Sequence, residues 1–294
     1  MKDIIGLVLE HESFISHPPV LIDIGASGEI FPAWKRLVPY SHCITFEADE
    51  RESCLSKEEK TNWKKFTNYD SLATSESSRQ QEFHLTKFPF CSSTLKPNKK
   101  SLSDWEFSPL FQVEKTTMVK STNISEVLKN SGIHYVDWFK SDSQGIDLRL
   151  FSSLPNSIRS KVLAVDFEPG IIDAYEGEDK LHHVLSYMDS EPFWVNQMQI
   201  KGNKRIRIKE LNFSEDQNKL IVQNQRNSPC WCEISYINKM DADNLKLREH
   251  LMAWVFSTIL EQFAFALSIT KSGAKKFDDQ IFEELALESL KSLS

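Results

Sequence analysis

Residues 20–24 (VLIDI) form a short, bulky run that closes on Gly25, the pattern of a strand buried on both faces. Such a strand needs neighbours on either side. Further strand-like stretches are predicted at 43–46 (CITF), 65–68, 135–140, 161–167 (KVLAVDF), 193–198 and 232–237. Helical stretches fall between them at 29–38, 50–63, 124–130 with Thr122 or Asn123 as cap, 147–154 and about 179–188. Strands alternating with helices in this way imply βαβ units and a mostly parallel, doubly wound α/β sheet. Residues 71–115 carry Ser, Thr and three prolines (Pro89, Pro97, Pro109) without long periodicity, and read as hairpins and loops, a candidate substrate lid. From Asp243 onward the chain is predicted helical, with Met252, Val255, Ile259, Phe263 and Ala266 on one stripe. The expected division is a domain over 1–240 and a helical extension over 241–294, which docks on its own domain or pairs with a second copy as a homodimer.

Charge and cysteine usage exclude several classes. With 35 basic against 42 acidic side chains the formal charge is −7, which disfavours a nucleic-acid partner. Five cysteines spread over 294 residues do not make the dense, even framework of a small secreted domain, and imply a reducing compartment. The apolar run at 4–9 has neither a basic flank nor a cleavage site, so no export signal is expected and the location is read as cytoplasmic. Ser257, Thr258, Glu261 and Gln262 interrupt the oily segment 251–269, which is therefore expected to pack and not to span a membrane. Cys230 and Cys232, or His182 and His183, match no four-ligand zinc spacing, and no metal is expected. The cations Lys201, Lys204, Arg205, Arg207 and Lys209 read as a solvated sheet edge.

The strongest motif is Asp23-Ile24-Gly25-Ala26-Ser27-Gly28, D-x-G-x-x-G directly after the buried strand. Gly25 suits a tight turn and Gly28 a close helix–strand approach, while free backbone N–H groups around Ala26 and Ser27 would face a ligand. Glu47, followed by Ala48, ends the next strand 19 residues past Gly28, where a carboxylate can accept hydrogen bonds from two ribose hydroxyls. An adenosyl cofactor follows. A nicotinamide fingerprint opens with Gly at the place of Asp23, since a carboxylate there repels a pyrophosphate; beside the ammonium of S-adenosylmethionine it attracts. The motif therefore favours S-adenosyl-L-methionine over NAD.

With DIGASG (23–28), FEAD (46–49), FCSSTLKPN (90–98), KSDSQGIDL (140–148) and FEPG (167–170) in order, the chain resembles the FkbM-type methyltransferases, class I S-adenosylmethionine enzymes, over roughly residues 20–237. The resemblance implies a Rossmann-like, seven-stranded sheet with the last strand antiparallel and methyl transfer to a hydroxyl of a sugar or secondary metabolite. The chain departs from the family's usual K-x-D-x-E-G-x-E in having Gln144 and Asp147.

Methyl transfer asks the protein to align an acceptor and take its proton. Asp142 shares a side with Lys140 by alternation and sits at the strand's ligand-facing end, so it is the first candidate to touch cofactor or acceptor; an ion pair with Lys140 is its structural alternative. Asp166 and Glu168, read as sharing the other face of the next strand's end, could hold the acceptor hydroxyl, Glu168 being nearer the loop. Asp70 is a candidate for the adenine amino group. His84, in the lid, is a candidate base, although a lone His in a polar loop is more often solvated. The partner expected is a small-molecule or carbohydrate acceptor. The rival expectations are an NAD-dependent oxidoreductase and a non-catalytic cofactor-binding module.

Overall fold

The computed structural model describes residues 3–25, 30–49, 51, 56–206 and 213–293. Ten strands occur among them: β1 (Val20–Ile24), β2 (His42–Phe46), β3 (Lys65–Tyr69), β4 (Leu72–Thr74), β5 (Gln80–Thr86), β6 (Val113–Asn123), β7 (Trp138–Ser141), β8 (Ala164–Phe167), β9 (Phe193–Asn203) and β10 (Ser228–Asn238). The helices are α1 (Ile4–Leu9), α2 (Lys57–Thr61), α3 (Lys99–Leu102), α4 (Ile124–Asn130), α5 (Asp147–Ser152), α6 (Asn156–Arg159), α7 (Leu181–Asp189), α8 (Glu215–Asn224), α9 (Leu247–Ile259), α10 (Phe263–Phe277) and α11 (Ile281–Ser292).

Seven strands make one sheet in the order β3-β2-β1-β7-β8-β10-β9, and β4-β6-β5 make a smaller one. β1, β2, β3, β7 and β8 run parallel, while β10 runs antiparallel to both β8 and β9. The chain steps outward from β1 to β3 and then returns to the other side of β1 as β7, so the order reverses at the β1/β7 boundary. In open α/β sheets a crevice forms at the carboxyl ends of the strands at such a point.

Alternation along the strands feeds two cores. Ile22, Ile24, Ile44, Phe46, Phe139, Val165 and Phe167 pack with α4, α5 and α7 on one face. Leu21, Cys43, Trp138 and Ala164 pack with α1 and α9 on the other, joined by Phe282 and Leu285 of α11. Period-two side-chain placement makes this sorting automatic once the register is set.

The ends of the expected elements shift for physical reasons. In place of a helix over 29–38, of which residue 29 lies outside the described residues, there are two tight 3-10 turns, Pro32–Trp34 and Val38–Tyr40, because Pro32 keeps the residue before it, Phe31, out of the α region at a ψ of 124°. Within the expected helix at 50–63 the described residues form only α2, started by the Ser56/Glu59 capping box. The apolar stripe of the tail does not lie on one helix. It crosses a break at residues 260–262, where Glu261 takes a φ of 59°. Residues 250–257 of α9 are buried without interruption, which is the mark of a helix covered all round. α8 was not among the expected elements, although the Ser214/Gln217 capping box marks its start. Among the described members of the basic run, Lys201 pairs with Glu233 at 3.0 Å, Arg205 with Asp104 at 2.9 Å, and Lys204 donates to the Val222 carbonyl; Arg207 and Lys209 lie outside the described residues. No helix among the described residues is long and apolar enough to cross a membrane.

One ion pair pins α9 to the sheet. The Arg248 guanidinium grips Asp137 through two bonds of 2.8 Å each, and also donates to the carbonyls of His17 and Pro18. Asp137 in turn accepts the Val20 N–H at 2.8 Å, and the guanidinium lies 4.4 Å from the centre of the Tyr135 ring. Asp137 and Arg248 are both nearly sealed from solvent, so truncating either leaves a buried charge without its partner. Arg248→Ala is expected to lower unfolding free energy by about 3–5 kcal/mol, as read by chemical denaturation; a loss under about 1 kcal/mol would show that the pair does not hold the tail.

Candidate functional site

Two backbone crossings define the crevice. Asp142 donates its N–H to the Ile24 carbonyl at 3.0 Å, and Gly25 donates to the Phe46 carbonyl at 3.1 Å. Gly25 has a φ of 73°, and a Cβ there would overlap the Asp142 carbonyl oxygen, so the position needs glycine for its dihedral and for its packing. The ends of β1, β2 and β7 are thereby drawn together under one cleft. Its walls are Gly25, Glu47, Ala48, Asp49, Asp142 and Ser143 from the large sheet, Ser71, Leu72 and Ala73 around β4, and Phe83, Phe90 and Ser92 from the 71–115 segment.

Glu47 accepts the Asp49 N–H at 2.8 Å, and burial raises its carboxyl above the ordinary range against the pull of the Asp49 and Ala48 N–H groups. For Asp49 burial pushes upward, but a forked bond from Arg51, at 2.9 and 2.6 Å, wins and holds the carboxyl low. Arg51 reaches on to the Thr86 carbonyl and the Ser92 hydroxyl, both at 2.9 Å, which fastens the end of β2 to the β5 side of the cleft.

Beyond Asp142 a second cleft opens, walled by Phe107, Phe111, Tyr175 and Trp231 together with Glu168 and Glu178. Asp142 and Gln144 line both clefts. Gln144 holds a φ of 55°, and its side chain spans from Asp142 to Tyr175: the amide donates to Asp142 Oδ1 at 2.5 Å, and its oxygen lies 3.0 Å from the Tyr175 hydroxyl. That hydroxyl is also 2.9 Å from the Cys91 carbonyl, and with one proton it donates to one of these acceptors at a time. A glutamate at 144 would set two carboxyls against each other; glutamine supplies a donor instead.

Asp147 ties the ends of β7 and β8. Its buried carboxylate accepts from the Ser141 hydroxyl at 2.6 Å, the Ser143 N–H at 2.8 Å and hydroxyl at 2.5 Å, and the Glu168 N–H at 3.1 Å. Asp142 and Glu168 are thus brought to the same junction. Burial pushes Asp142 up to about 7 against the pull of Lys140. Burial, with the Asp142 charge next in importance, pushes Glu168 up to about 9.

A third, polar cleft lies on the face of α9. In-register pairing aligns Asp23 with Lys140, Lys140 with Asp166 and Asp166 with Ser235. Asp166 therefore sits on the Lys140 side of the sheet, contrary to the sequence reading, since the register between strands decides the face. Lys140 donates to Asp23 at 2.6 Å and Trp138 to Asp166 at 2.5 Å. Desolvation alone would lower the Lys140 ammonium, but the charges of Asp23 and Asp142 outweigh it and hold the group protonated.

The crevice brings together Gly25, Glu47, Ala48, Asp142 and Glu168 of the expected residues. Asp23 is buried against Lys140 and is not among the residues lining any of the three clefts. Asp70 is exposed at the end of β3, bonded by Asn68, while its neighbour Ser71 lines the first cleft. His84 is buried in β5 beside Thr116 at 3.0 Å and Glu82 at 3.3 Å, outside the three clefts, because alternation along β5 turns it away from the wall that Phe83 forms. Ala26, Ser27 and Gly28 lie outside the described residues. Tyr175, Glu178 and Trp231 were not anticipated. The one trace of them in sequence is Gly170, where a Cβ would come within 2.6 Å of the Glu178 carboxyl. No family model, curated protein or solved structure matches the chain.

A carboxyl raised on folding stabilises the folded state while protonated, and that contribution fades as pH climbs from its ordinary value through its folded one. For Glu168 the window runs from 4.5 to about 9. Glu168→Gln should therefore flatten the fall in unfolding free energy across that window in denaturation series at stepped pH. A slope equal to that of the parent protein would refute the raised carboxyl.

Proposed function

We propose that this chain is an S-adenosylmethionine-dependent methyltransferase of Rossmann-like fold that methylates an oxygen of a small or carbohydrate acceptor. The observation that carries the reading is the sign of the first cleft. Glu47 and Asp142 line it beside Asp49, whose charge Arg51 takes up, and no lysine, arginine or histidine lines it among the described residues. A dinucleotide pyrophosphate would meet like charge there, whereas a sulfonium and an ammonium would meet opposite charge. The strand order, reversing at β1/β7 with β10 antiparallel, supports the same reading.

The residues present fit the cofactor. The cradle at Gly25 would be filled by any Cβ, and Glu47 stands at the end of β2 where a ribose diol would be held. Leu72, Ala73 and Phe83 offer an apolar wall to the adenine, and Asp142 the countercharge to the methionine end. Asp23 would contribute through Lys140 and the seat of β1, not by touching the cofactor. When bound, the cofactor supplies a methyl group already activated on a cationic sulfur.

What the chain's own groups do is hold the acceptor and manage its proton. Asp142, raised to about 7, is matched to accept a proton near neutral pH. Glu168 keeps its proton to higher pH and can donate a hydrogen bond to the acceptor oxygen. Asp147 and Gln144 act as positioning residues for these two.

Isothermal calorimetry tests the reading. S-adenosylmethionine should bind in the micromolar range expected of a cellular cofactor, and Glu47→Ala should weaken it by about tenfold, the worth of a hydrogen bond to a charged group. Absence of binding by the parent, or undiminished binding by the variant, would sink the assignment.

A further inference from the structure

The second cleft has walls unlike those of the first. Trp231 stacks on Phe107 with ring centres 6.3 Å apart and planes 13° from parallel; Phe107 meets Phe111 edge-on at 5.1 Å, and Phe111 meets Tyr175 at 5.6 Å. This continuous aromatic wall is built by three separate parts of the chain: the link between α3 and β6, the loop after β8, and β10. Phe88, Phe90 and Leu110, all exposed, extend the apolar surface at the mouth. Asp142, Glu168 and Glu178 line the same space, and no lysine, arginine or histidine lines it among the described residues.

We propose that the second cleft selects an acceptor carrying a protonated amine on an aromatic or apolar body and rejects anionic acceptors of the same shape. The inference rests on the reading of this cleft as the acceptor's. A cation gains from the negative faces of the rings and from the carboxyls together, Glu168 giving up its proton as the positive charge arrives, whereas an anion loses on both counts and finds no countercharge among the lining residues. Both features line the same cavity, so one ligand that joins an aromatic body to an amine can use both.

Glu168 is the group most open to such a ligand. Asp142 is engaged by Gln144, and Glu178 accepts the Ala174 N–H at 2.7 Å. The structure records no hydrogen bond to the Glu168 carboxyl among the described residues, and its neighbours Asp142, Asp147 and Glu233 are all acidic. Lys140 acts on it as a countercharge from the third cleft, which both residues line, but is committed to Asp23.

Two probes with the same phenol body decide the matter: tyramine, which carries an ammonium, and 3-(4-hydroxyphenyl)propionate, which carries a carboxylate. By calorimetry on the full chain at neutral pH, tyramine should bind about tenfold or more tightly than the propionate. Glu168→Gln, close in shape to the parent residue, should remove most of that gap by weakening tyramine alone. The proposal is overturned if the propionate binds equally or better, if neither binds, or if the gap survives the substitution. The parent's ratio needs no variant, so a folding defect cannot hide the answer. Titrating S-adenosylmethionine into the same sample separates the two readings. Cofactor binding without a cation preference overturns the acceptor inference alone; a cation preference without cofactor binding overturns the methyl-transfer reading and leaves the cleft's selectivity standing.

Discussion

The junction of the clefts depends on one buried carboxylate. Asp147 gathers two serine hydroxyls and two backbone N–H groups from the ends of β7 and β8, and those four bonds offset part of the burial that raises its carboxyl above the ordinary range. Since the loops on either side carry Asp142 and Glu168, their meeting follows from the needs of Asp147. Burial then raises both carboxyls, so the junction stores protons that a positive charge would release. Gly25 completes the arrangement by letting β1 approach the Asp142 carbonyl where no other residue fits.

The same economy governs the opposite end of the sheet. Asp137 joins the start of β1 to β7 and takes Arg248 from α9, so the tail helices are part of the fold that holds the strands in line. Between the two ends, Asp23, Lys140 and Asp166 form a polar row across neighbouring strands. One ammonium among several carboxylates leaves this region net negative, and that sign reaches the crevice.

Much of this was legible in sequence wherever period and punctuation act locally. The buried strands, the Asn123 cap of α4 and the turn at Gly25 all follow from side-chain size, capping chemistry and glycine's freedom. Glu47 and Asp142 were also legible, because a strand end announces its own position. What local pattern cannot carry is register and long-range contact. Asp166 was assigned to the wrong face because alternation within β8 says nothing about its pairing with Lys140. The aromatic wall escaped notice because Phe107, Tyr175 and Trp231 come from distant segments without shared periodicity. Asp23 fits the expected motif, yet its charge is taken by a lysine 117 residues away.

The central claim is that Asp142 and Glu168 hold protons at a junction built to face a cation. Proton release on ligand binding measures this most directly, through calorimetry in buffers of different ionisation enthalpy near pH 7, where both groups still carry protons. The account predicts that S-adenosylmethionine, with its charged sulfur, expels more protons than S-adenosylhomocysteine, whose sulfur is neutral, and that Asp142→Asn reduces the difference. Equal proton release by the two ligands would contradict it.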